Sequence, residues 1–170
     1  MQLTHHTSKF KSRKFQIVLV CDGISNAANV GGLFRLADAF GVEKLIFCGP
    51  DFSLGKRFKI TSRSTEKVVD FCIEKNIEST VDALKQKGYA VFGLEITTES
   101  KPISQFKITD LPIALIVGNE IDGISASVLH KTDQNFHISM YGQNSSMNVT
   151  QATGIALFHI TNSILELNNK

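Results

Sequence analysis

Short apolar runs alternate along the chain with stretches in which apolar residues recur at helical spacing. The runs predict strands at residues 15–21 (FQIVLVC), 44–49, 89–96, 112–118 and 135–139. The helical spacing predicts helices at residues 29–40, 79–88, 124–131 and 148–166. Strands that alternate with helices are typical of βαβ units. We therefore predict an α/β fold with a mostly parallel sheet and helices on both faces.

Small and polar residues mark the ends of two predicted helices. Gly41 and Gly88 each follow the last residue of a helical pattern, where a helix C-terminus favours glycine. Ser79 is followed three residues later by Asp82, which resembles a capping box. The second of these helices is therefore expected to begin at Ser79.

Length and composition indicate one domain. The 170 residues, 42% of them apolar, suffice for a single core. We assign residues 1–14 to a basic N-terminal arm and residues 15–170 to the domain. No apolar run reaches about 18 residues and the polar N-terminus does not resemble a signal peptide, so we expect a cytoplasmic protein without a membrane partner. The three cysteines have no C-x-x-C spacing, so we expect free thiols and no metal site.

Positive charge is concentrated in two segments, although the net charge is only +2. Neither segment contains a carboxylate. Both fit either solvated surface or contact with a phosphate backbone. The candidate RNA-binding residues are Lys9, Lys11, Arg13 and Lys14 in the arm, and Lys56, Arg57, Lys59 and Arg63 in the second segment.

Chemistry in a parallel sheet is expected in the loops at the carboxyl ends of its strands. Four such loops are residues 22–35, 97–102, 119–125 and 140–148. They lack the dinucleotide-binding G-x-G-x-x-G and the P-loop ending of Lys followed by Ser or Thr. No Ser–His–carboxylate set or His/Glu metal spacing occurs either. What remains is a group of Asn, Ser, Glu, Gly and one Arg.

This group resembles three motifs of the SpoU/TrmH family of RNA 2'-O-methyltransferases, within the SPOUT superfamily. The matching segments are NAANVGGLFRLADAFGVEKLIF (26–47), IALIVGNEIDGIS (113–125) and ISMYGQNSSMNVTQA (138–152). Any one motif is weak, but three in order are specific. The resemblance implies a C-terminal trefoil knot, the cofactor S-adenosylmethionine bound in the knot, and methyl transfer to a ribose 2'-OH.

The resemblance also implies site residues. Its catalytic candidates are Asn29, Arg35, Glu120, Ser146 and Asn148. Its cofactor-binding candidates are Leu94, Glu95, Ile96, Gly118, Asn119, Ile138, Met140, Ser146, Met147 and Asn148. The chain departs from the common family pattern at Ser139 and Met147, where proline and leucine are frequent.

Each implied role has a structural alternative. Ser146 or Asn148 could serve only as a helix cap. Arg35 could be a snorkelling surface residue. The family is held to use this arginine to activate the ribose 2'-OH, sometimes as the base; we favour binding of a phosphate and stabilisation of the developing alkoxide, because a guanidinium has no acceptor atom. Glu120 could pair with Arg35 or with a backbone amide, or cap the following turn. We expect Gly118 and Gly142 to allow close approach of the cofactor.

Two other classes of protein stay open at this point. A nonenzymatic RNA-binding module would use the basic arm without the cofactor loops, and a Rossmann-type oxidoreductase would need the glycine fingerprint that is absent. Among RNAs we favour transfer RNA over ribosomal RNA.

The C-terminal helix predicts a homodimer. Val149, Ala152, Ile155, Ala156, Ile160 and Ile164 form one apolar stripe, expected to face the sheet. Outside that stripe lie Leu157, Phe158, Leu165 and Leu167, which we expect a second copy to cover.

Overall fold

The computed structural model describes residues 11–49, 62–108, 111–143 and 146–167. Its strands are β1 (Phe15–Asp22), β2 (Val42–Cys48), β3 (Phe71–Glu74), β4 (Ala90–Leu94), β5 (Lys101–Pro102), β6 (Ile113–Gly118) and β7 (Gln134–His137). The described α-helices are α1 (Ala27–Ala39), α2 (Ile77–Gln86), α3 (Ala126–Leu129) and α4 (Val149–Leu167). Two 3₁₀ turns, Thr65–Lys67 and Ile103–Gln105, lie between them.

The strands form one sheet in the order β3-β2-β1-β6-β4-β7-β5. Every pairing between them in the described residues is parallel. Strand β1 pairs Leu19 with Leu45 of β2 on one side and with Leu115 of β6 on the other. This arrangement confirms the predicted α/β class. The sequence did not predict β3 and β5, because β5 has only two residues and β3 is an edge strand without a fully buried residue.

Each face of the sheet has its own apolar core. Helices α1 and α4 cover one face, where Phe34 of α1 stacks on Phe47 at 5.5 Å between ring centroids. Helices α2 and α3 cover the other, with Val81 and Val128 fully buried there. The parallel strands are buried on both sides, which explains their continuous apolar sequences.

The start of α2 differs from the prediction. Asn76 is its N-cap, and its side-chain oxygen accepts a hydrogen bond from the backbone N–H of Ser79 at 2.8 Å. Ser79 therefore lies inside the first turn, and the capping box predicted from Ser79 and Asp82 is wrong. The predicted helix ends are confirmed, since Gly41 and Gly88 both have positive φ, at 60° and 82°.

The buried face of α4 is also rotated from the predicted stripe. Leu157 is fully buried, whereas Ile155 is 41% exposed. The reason is that two threonines lie on the buried face. The hydroxyl groups of Thr153 and Thr161 donate to the carbonyl oxygens of Val149 and Leu157 within the helix, so they need no water.

Candidate active site

A cavity of about 660 Å³ opens at the carboxyl ends of β6, β4 and β7, which are neighbours in the sheet. Its size is that of a typical small-molecule site. The loops after these three strands and the start of α4 form its walls. The ten predicted cofactor-binding residues all line it: Leu94, Glu95, Ile96, Gly118, Asn119, Ile138, Met140, Ser146, Met147 and Asn148.

The loop after β6 folds into a tight turn that forms one wall. The side-chain oxygen of Asn119 accepts hydrogen bonds from the backbone N–H groups of Ile121 and Asp122, both at 2.9 Å. The backbone closes the turn, as Gly123 N–H donates to the Asn119 carbonyl at 3.1 Å. Asn119, rather than Glu120, therefore caps this turn.

Two carboxylates from other strands hold the turn in place. Glu95, after β4, accepts from the N–H of Ile96 at 2.9 Å and from the N–H of Ile124 at 3.0 Å, one on each oxygen. Asp22, at the end of β1, accepts from both the N–H and the hydroxyl of Ser125 at 3.0 Å. Glu95 was predicted to bind the cofactor; in the structure its carboxylate is engaged with the backbone of the turn.

Two glycines of the site make room for the chain's own turn. A Cβ on Gly118 would lie 2.1 Å from the carbonyl carbon of Gly123, so its absence serves the chain's own turn. Gly123 has φ +67°, and a Cβ there would meet the Glu95 carboxylate at 2.3 Å. Around Gly142 nothing described lies within 4 Å of such an atom. The packing thus assigns Gly118 a structural reason, and gives none for Gly142.

A hydrogen bond between two asparagines joins the first and third motifs. The amide of Asn148 donates to the side-chain oxygen of Asn29 at 3.0 Å. The side-chain oxygen of Asn148 accepts from the N–H of Thr150 at 2.9 Å and from the Thr150 hydroxyl. Asn148 is therefore both the cap of α4 and the partner of Asn29, which is only 7% exposed.

The five catalytic candidates are only partly brought together. Glu120, Ser146 and Asn148 line the cavity. Asn29 does not line the cavity itself but is hydrogen-bonded to Asn148, which does. Arg35 does not line it, and neither Arg35 nor Glu120 belongs to an ion pair among the described residues. The pairing of Glu120 with Arg35 considered from the sequence is therefore not formed.

Arg35 lies instead in a second, more open concavity of about 700 Å³ between α1 and α4. We call it the α1–α4 groove; it is lined by Gly32, Arg35, Leu36, Ala39, Thr150, Gln151, Gly154, Ile155 and Phe158. Gly32 lets the helices approach, since a Cβ there would lie 2.8 Å from the Thr150 methyl group. Both concavities border the start of α4, where Asn148 lines the cavity and Thr150 lines the groove.

The basic candidates fall in two groups. Lys11, Arg13, Lys14 and Arg63 are exposed. The guanidinium of Arg13 lies 4.9 Å from the ring centroid of Phe15, within cation–π range. Lys9, Lys56, Arg57 and Lys59 lie outside the described residues.

The cysteines are free, as predicted, and are held as neutral thiols. Burial raises the pKa of Cys21 well above its ordinary value and that of Cys48 to about 12. Burial also raises the pKa of the half-buried Cys72. Thiolate chemistry at neutral pH is thereby disfavoured. The described residues contain no group of three or more potential metal ligands, and none of their helices has the length and apolarity to span a bilayer.

Several cavity residues escaped sequence reasoning. Thr97, Ile121 and Leu129 line the cavity beside residues that were predicted. His137, the last residue of β7, also lines it, and its Nδ1 shares a 2.9 Å hydrogen bond with the Ser100 hydroxyl. Ile121 lies within the second motif and His137 directly before the third, which was the available signal, whereas Thr97 and Leu129 lie outside the three motifs. Asp22 had none, because its partner Ser125 is 103 residues away.

Comparison with known proteins agrees with this geometry. The model of the SpoU rRNA Methylase family matches residues 16–158. The chain therefore belongs to the SpoU methylase family, and the resemblance drawn from its three motifs is confirmed.

Individual relatives share a moderate part of the sequence. The 23S rRNA (guanosine(2553)-2'-O)-methyltransferase RlmP of Bacillus subtilis is 31% identical over 91% of this chain and 62% of its own length. The tRNA (guanosine(18)-2'-O)-methyltransferase of Aquifex aeolicus is 28% identical over 87% of this chain and 70% of its own. The chain thus spans about two thirds of the length of these curated relatives.

Solved structures share the fold. The A. aeolicus TrmH/SpoU tRNA modifying enzyme superposes with a TM-score of 0.81 at 25% identity, covering 92% of this chain and 79% of that one. A structure concerned with 2-OH methylation of C/U34 on tRNA superposes with a TM-score of 0.77, over 91% of this chain and 97% of that one. The latter is 22% identical and supports the fold alone.

Proposed function

We propose that this protein is an S-adenosylmethionine-dependent methyltransferase that methylates a ribose 2'-OH of RNA in the cytoplasm. The observation that carries the proposal is the cavity in which the second and third motifs meet. All ten residues that the resemblance assigns to the cofactor line that cavity. The named relatives are RNA 2'-O-methyltransferases, which supports the same reaction.

The cavity fits S-adenosylmethionine in size and in the chemistry of its walls. About 660 Å³ lies in the range of drug-sized ligands. Three tight loops present backbone groups there, and Ile96, Ile138 and Met140 supply apolar surface. The cofactor would bring an activated methyl group on sulfur. The cavity walls would hold that group in line with the ribose oxygen, and such alignment contributes on the order of 7 to 11 kcal/mol to a reaction.

The chain's own catalytic contribution is electrostatic. Arg35 is charged and donates hydrogen bonds but accepts none, so we assign it to a phosphate of the RNA and to the alkoxide that develops on the ribose. Its place in the α1–α4 groove supports this assignment, because the groove and the cavity both border the start of α4, at Thr150 and Asn148. Substrate lying across the start of α4 would contact both. Asn29 and Asn148 then keep this end of the helix rigid.

Transfer RNA is the substrate class that we favour, with ribosomal RNA as the second candidate. The 28% identity to a tRNA 2'-O-methyltransferase of A. aeolicus supports the first. The 31% identity to a 23S rRNA enzyme supports the second. The exposed Lys11, Arg13, Lys14 and Arg63 would contact RNA phosphates, together with Lys9, Lys56, Arg57 and Lys59.

The functional form that we propose is a homodimer in which the partner covers the apolar residues of the α1–α4 groove and leaves Arg35 open to the RNA. Phe158 and Ile155 are exposed on this groove at 61% and 41%, although both are large and apolar. A second copy related by two-fold symmetry would cover the same residues on both subunits.

Calorimetric titration with S-adenosylmethionine, and a parallel titration with NAD, test which cofactor the protein binds. Methyl transfer to unmodified tRNA transcripts and to rRNA, followed by mass mapping of the methylated ribose, tests the substrate. We expect binding of S-adenosylmethionine alone and a single 2'-O-methylated nucleotide. Binding of NAD, or RNA binding without methyl transfer, would overturn the proposal.

A further inference from the structure

The rim of the cofactor cavity carries unusually exposed apolar side chains. Tyr141 is 97% exposed and Ile121 is 91% exposed, the two highest values among the large apolar residues described. Ile121 lines the cavity, and Tyr141 directly follows Met140, which also lines it. The two come from different loops, after β6 and β7. Large apolar groups exposed at the mouth of a site mark a contact surface for something that binds there.

The negative charge near Ile121 indicates which chemical group binds at this part of the rim. Ile121 stands between Glu120 and Asp122, which are exposed and belong to no ion pair among the described residues. Two carboxylates repel phosphate. They accept hydrogen bonds from the amino and imino groups on the edges of nucleobases. This part of the rim therefore suits a base and not the phosphate backbone.

Tyrosine suits the flat face of a base. Unpaired RNA bases are commonly recognised by stacking on aromatic side chains, and every base has a face that can stack. A ribose whose 2'-OH enters the cavity also brings its base, and those of its neighbours, to the rim. Tyrosine is rigid, with two side-chain torsions, so ordering it on binding costs little.

We propose that Tyr141 is a base-stacking residue that holds an unpaired nucleobase of the RNA substrate at the rim of the cavity. The proposal rests on the proposed function and deepens it: the methylated nucleotide, or its immediate neighbour, lies in a single-stranded segment. In this arrangement the rim binds the base and the cavity binds the methyl donor.

Substitution of Tyr141 separates stacking from other roles. We expect Tyr141→Ala to raise KM for unmodified tRNA transcripts by roughly 5- to 100-fold, the loss that removal of one stacking ring produces. Tyr141→Phe keeps the ring and should stay within about twofold of the natural protein, because the hydroxyl contributes little to stacking. The Kd for S-adenosylmethionine should not change in either variant. Val68→Ala, at a residue 64% exposed that lines neither concavity, is the matched control.

A fluorescence experiment detects stacking directly. The chain contains no tryptophan, so Tyr141→Trp introduces a single reporter. A single-stranded oligoribonucleotide of about 12 nucleotides should quench its emission, whereas a duplex of the same sequence should not, because only unpaired bases are free to stack.

Three results would overturn the proposal. The first is an unchanged KM for Tyr141→Ala, and the second is the absence of quenching by the single strand. The third is a different oligomeric state of Tyr141→Ala in sedimentation, which would mean that Tyr141 lies between two protein copies. Failure of the proposed function would be seen separately, in the natural protein, as a lack of S-adenosylmethionine binding and methyl transfer.

Discussion

Asn148 is a residue whose side chain bonds in two directions. Its oxygen caps α4 through Thr150, and its amide satisfies the buried Asn29. We expect Asn148→Ala to lower the free energy of unfolding by about 2 to 4 kcal/mol, since a cap contributes about 1 kcal/mol and a buried group left without a partner costs about 1 to 3. Methyl transfer should fall as well, because the same side chain lines the cavity. Chemical denaturation at fixed protein concentration, with methyl-transfer kinetics, measures both.

Asn76→Ala is the matched control for this change. Asn76 caps α2 by the same chemistry, accepting from the N–H of Ser79 at 2.8 Å, but lines neither concavity. It should cost about 1 kcal/mol of stability and leave kcat unchanged. Equal effects of the two substitutions on kcat would refute a specific role for Asn148.

Arg35 gives a second prediction at this scale. Because Arg35 is exposed and makes no ion pair with a described carboxylate, Arg35→Ala should leave the fold and the Kd for S-adenosylmethionine unchanged. We expect kcat to fall by at least about 100-fold, as loss of one transition-state donor does in other enzymes. Arg35→Lys tests whether charge alone suffices. Full turnover in the alanine variant would make Arg35 a surface residue.

Motif matching located residues well but assigned their partners poorly. Ser146 and Asn148 were predicted at the site and line it. The pairing of Glu120 with Arg35 failed, because sequence order does not reveal which side of α1 faces the cavity. Asp22 was missed because its role depends on a contact with Ser125 across the sheet. A motif in the sequence identifies which residues belong to the site, whereas the contacts between distant segments can be identified only from the fold.

At the level of elements, the turn at residues 119–124 depends on a glycine in the left-handed region. Gly123→Ala should cost about 1 to 3 kcal/mol from backbone strain alone. The added Cβ would also meet the Glu95 carboxylate, which holds the turn through Ile124. We therefore expect a weaker affinity for S-adenosylmethionine, measured by calorimetry, as well as lower stability.

Gly88→Ala separates these two effects. Gly88 has φ +82°, but nothing described lies within 4 Å of a Cβ placed there. This variant should show a similar loss from strain and an unchanged Kd for the cofactor. If both variants bind the cofactor equally well, the turn does not shape the site.

The basic segments form another testable element. Lys11, Arg13 and Lys14 are exposed beside β1, so replacing all three with glutamine should weaken RNA binding. The dependence of binding on salt should also become less steep, by about 0.7 to 0.9 in the logarithmic slope for each phosphate that the side chains had neutralised. The same change at Lys56, Arg57 and Lys59 tests the second segment. Filter binding between about 50 and 200 mM salt measures the slope. If the slope equals that of the natural protein, the substituted side chains do not contact RNA phosphates and are solvated surface residues.

Elements were more predictable than their faces. The apolar runs predicted β1, β2, β4 and β6 because parallel strands buried on both sides have continuous apolar sequences, and a shorter run predicted β7. The two-residue β5 carries no such signal. On α4, Thr153 and Thr161 are polar residues, but they are buried because their hydroxyl groups bond to carbonyl groups of their own helix. The buried face of α4 therefore includes Leu157 and excludes Ile155, contrary to the prediction. The trefoil knot stays a prediction from family membership.

For the whole molecule, the exposed apolar side of the α1–α4 groove predicts the assembly. We expect a homodimer burying roughly 1,600 Å² or more. Phe158→Asp should yield weakly active monomers, because it places a charge in the apolar contact. Val68→Asp, at a similarly exposed residue outside the groove, should stay dimeric. Sedimentation velocity at micromolar concentration measures both, and a fully active monomer of the natural sequence would contradict the prediction.

The bond between Asn29 and Asn148 spans 119 residues of sequence, and this separation has a consequence for the newly made protein. At roughly 5 to 20 residues per second, a ribosome needs about 6 to 24 seconds to pass from one asparagine to the other. During that time α1 has been synthesised but α4, which packs beside it on the same face of the sheet, has not. The apolar surface that α4 buries therefore stays uncovered, so this interval is when the growing chain is most open to chaperones and to aggregation.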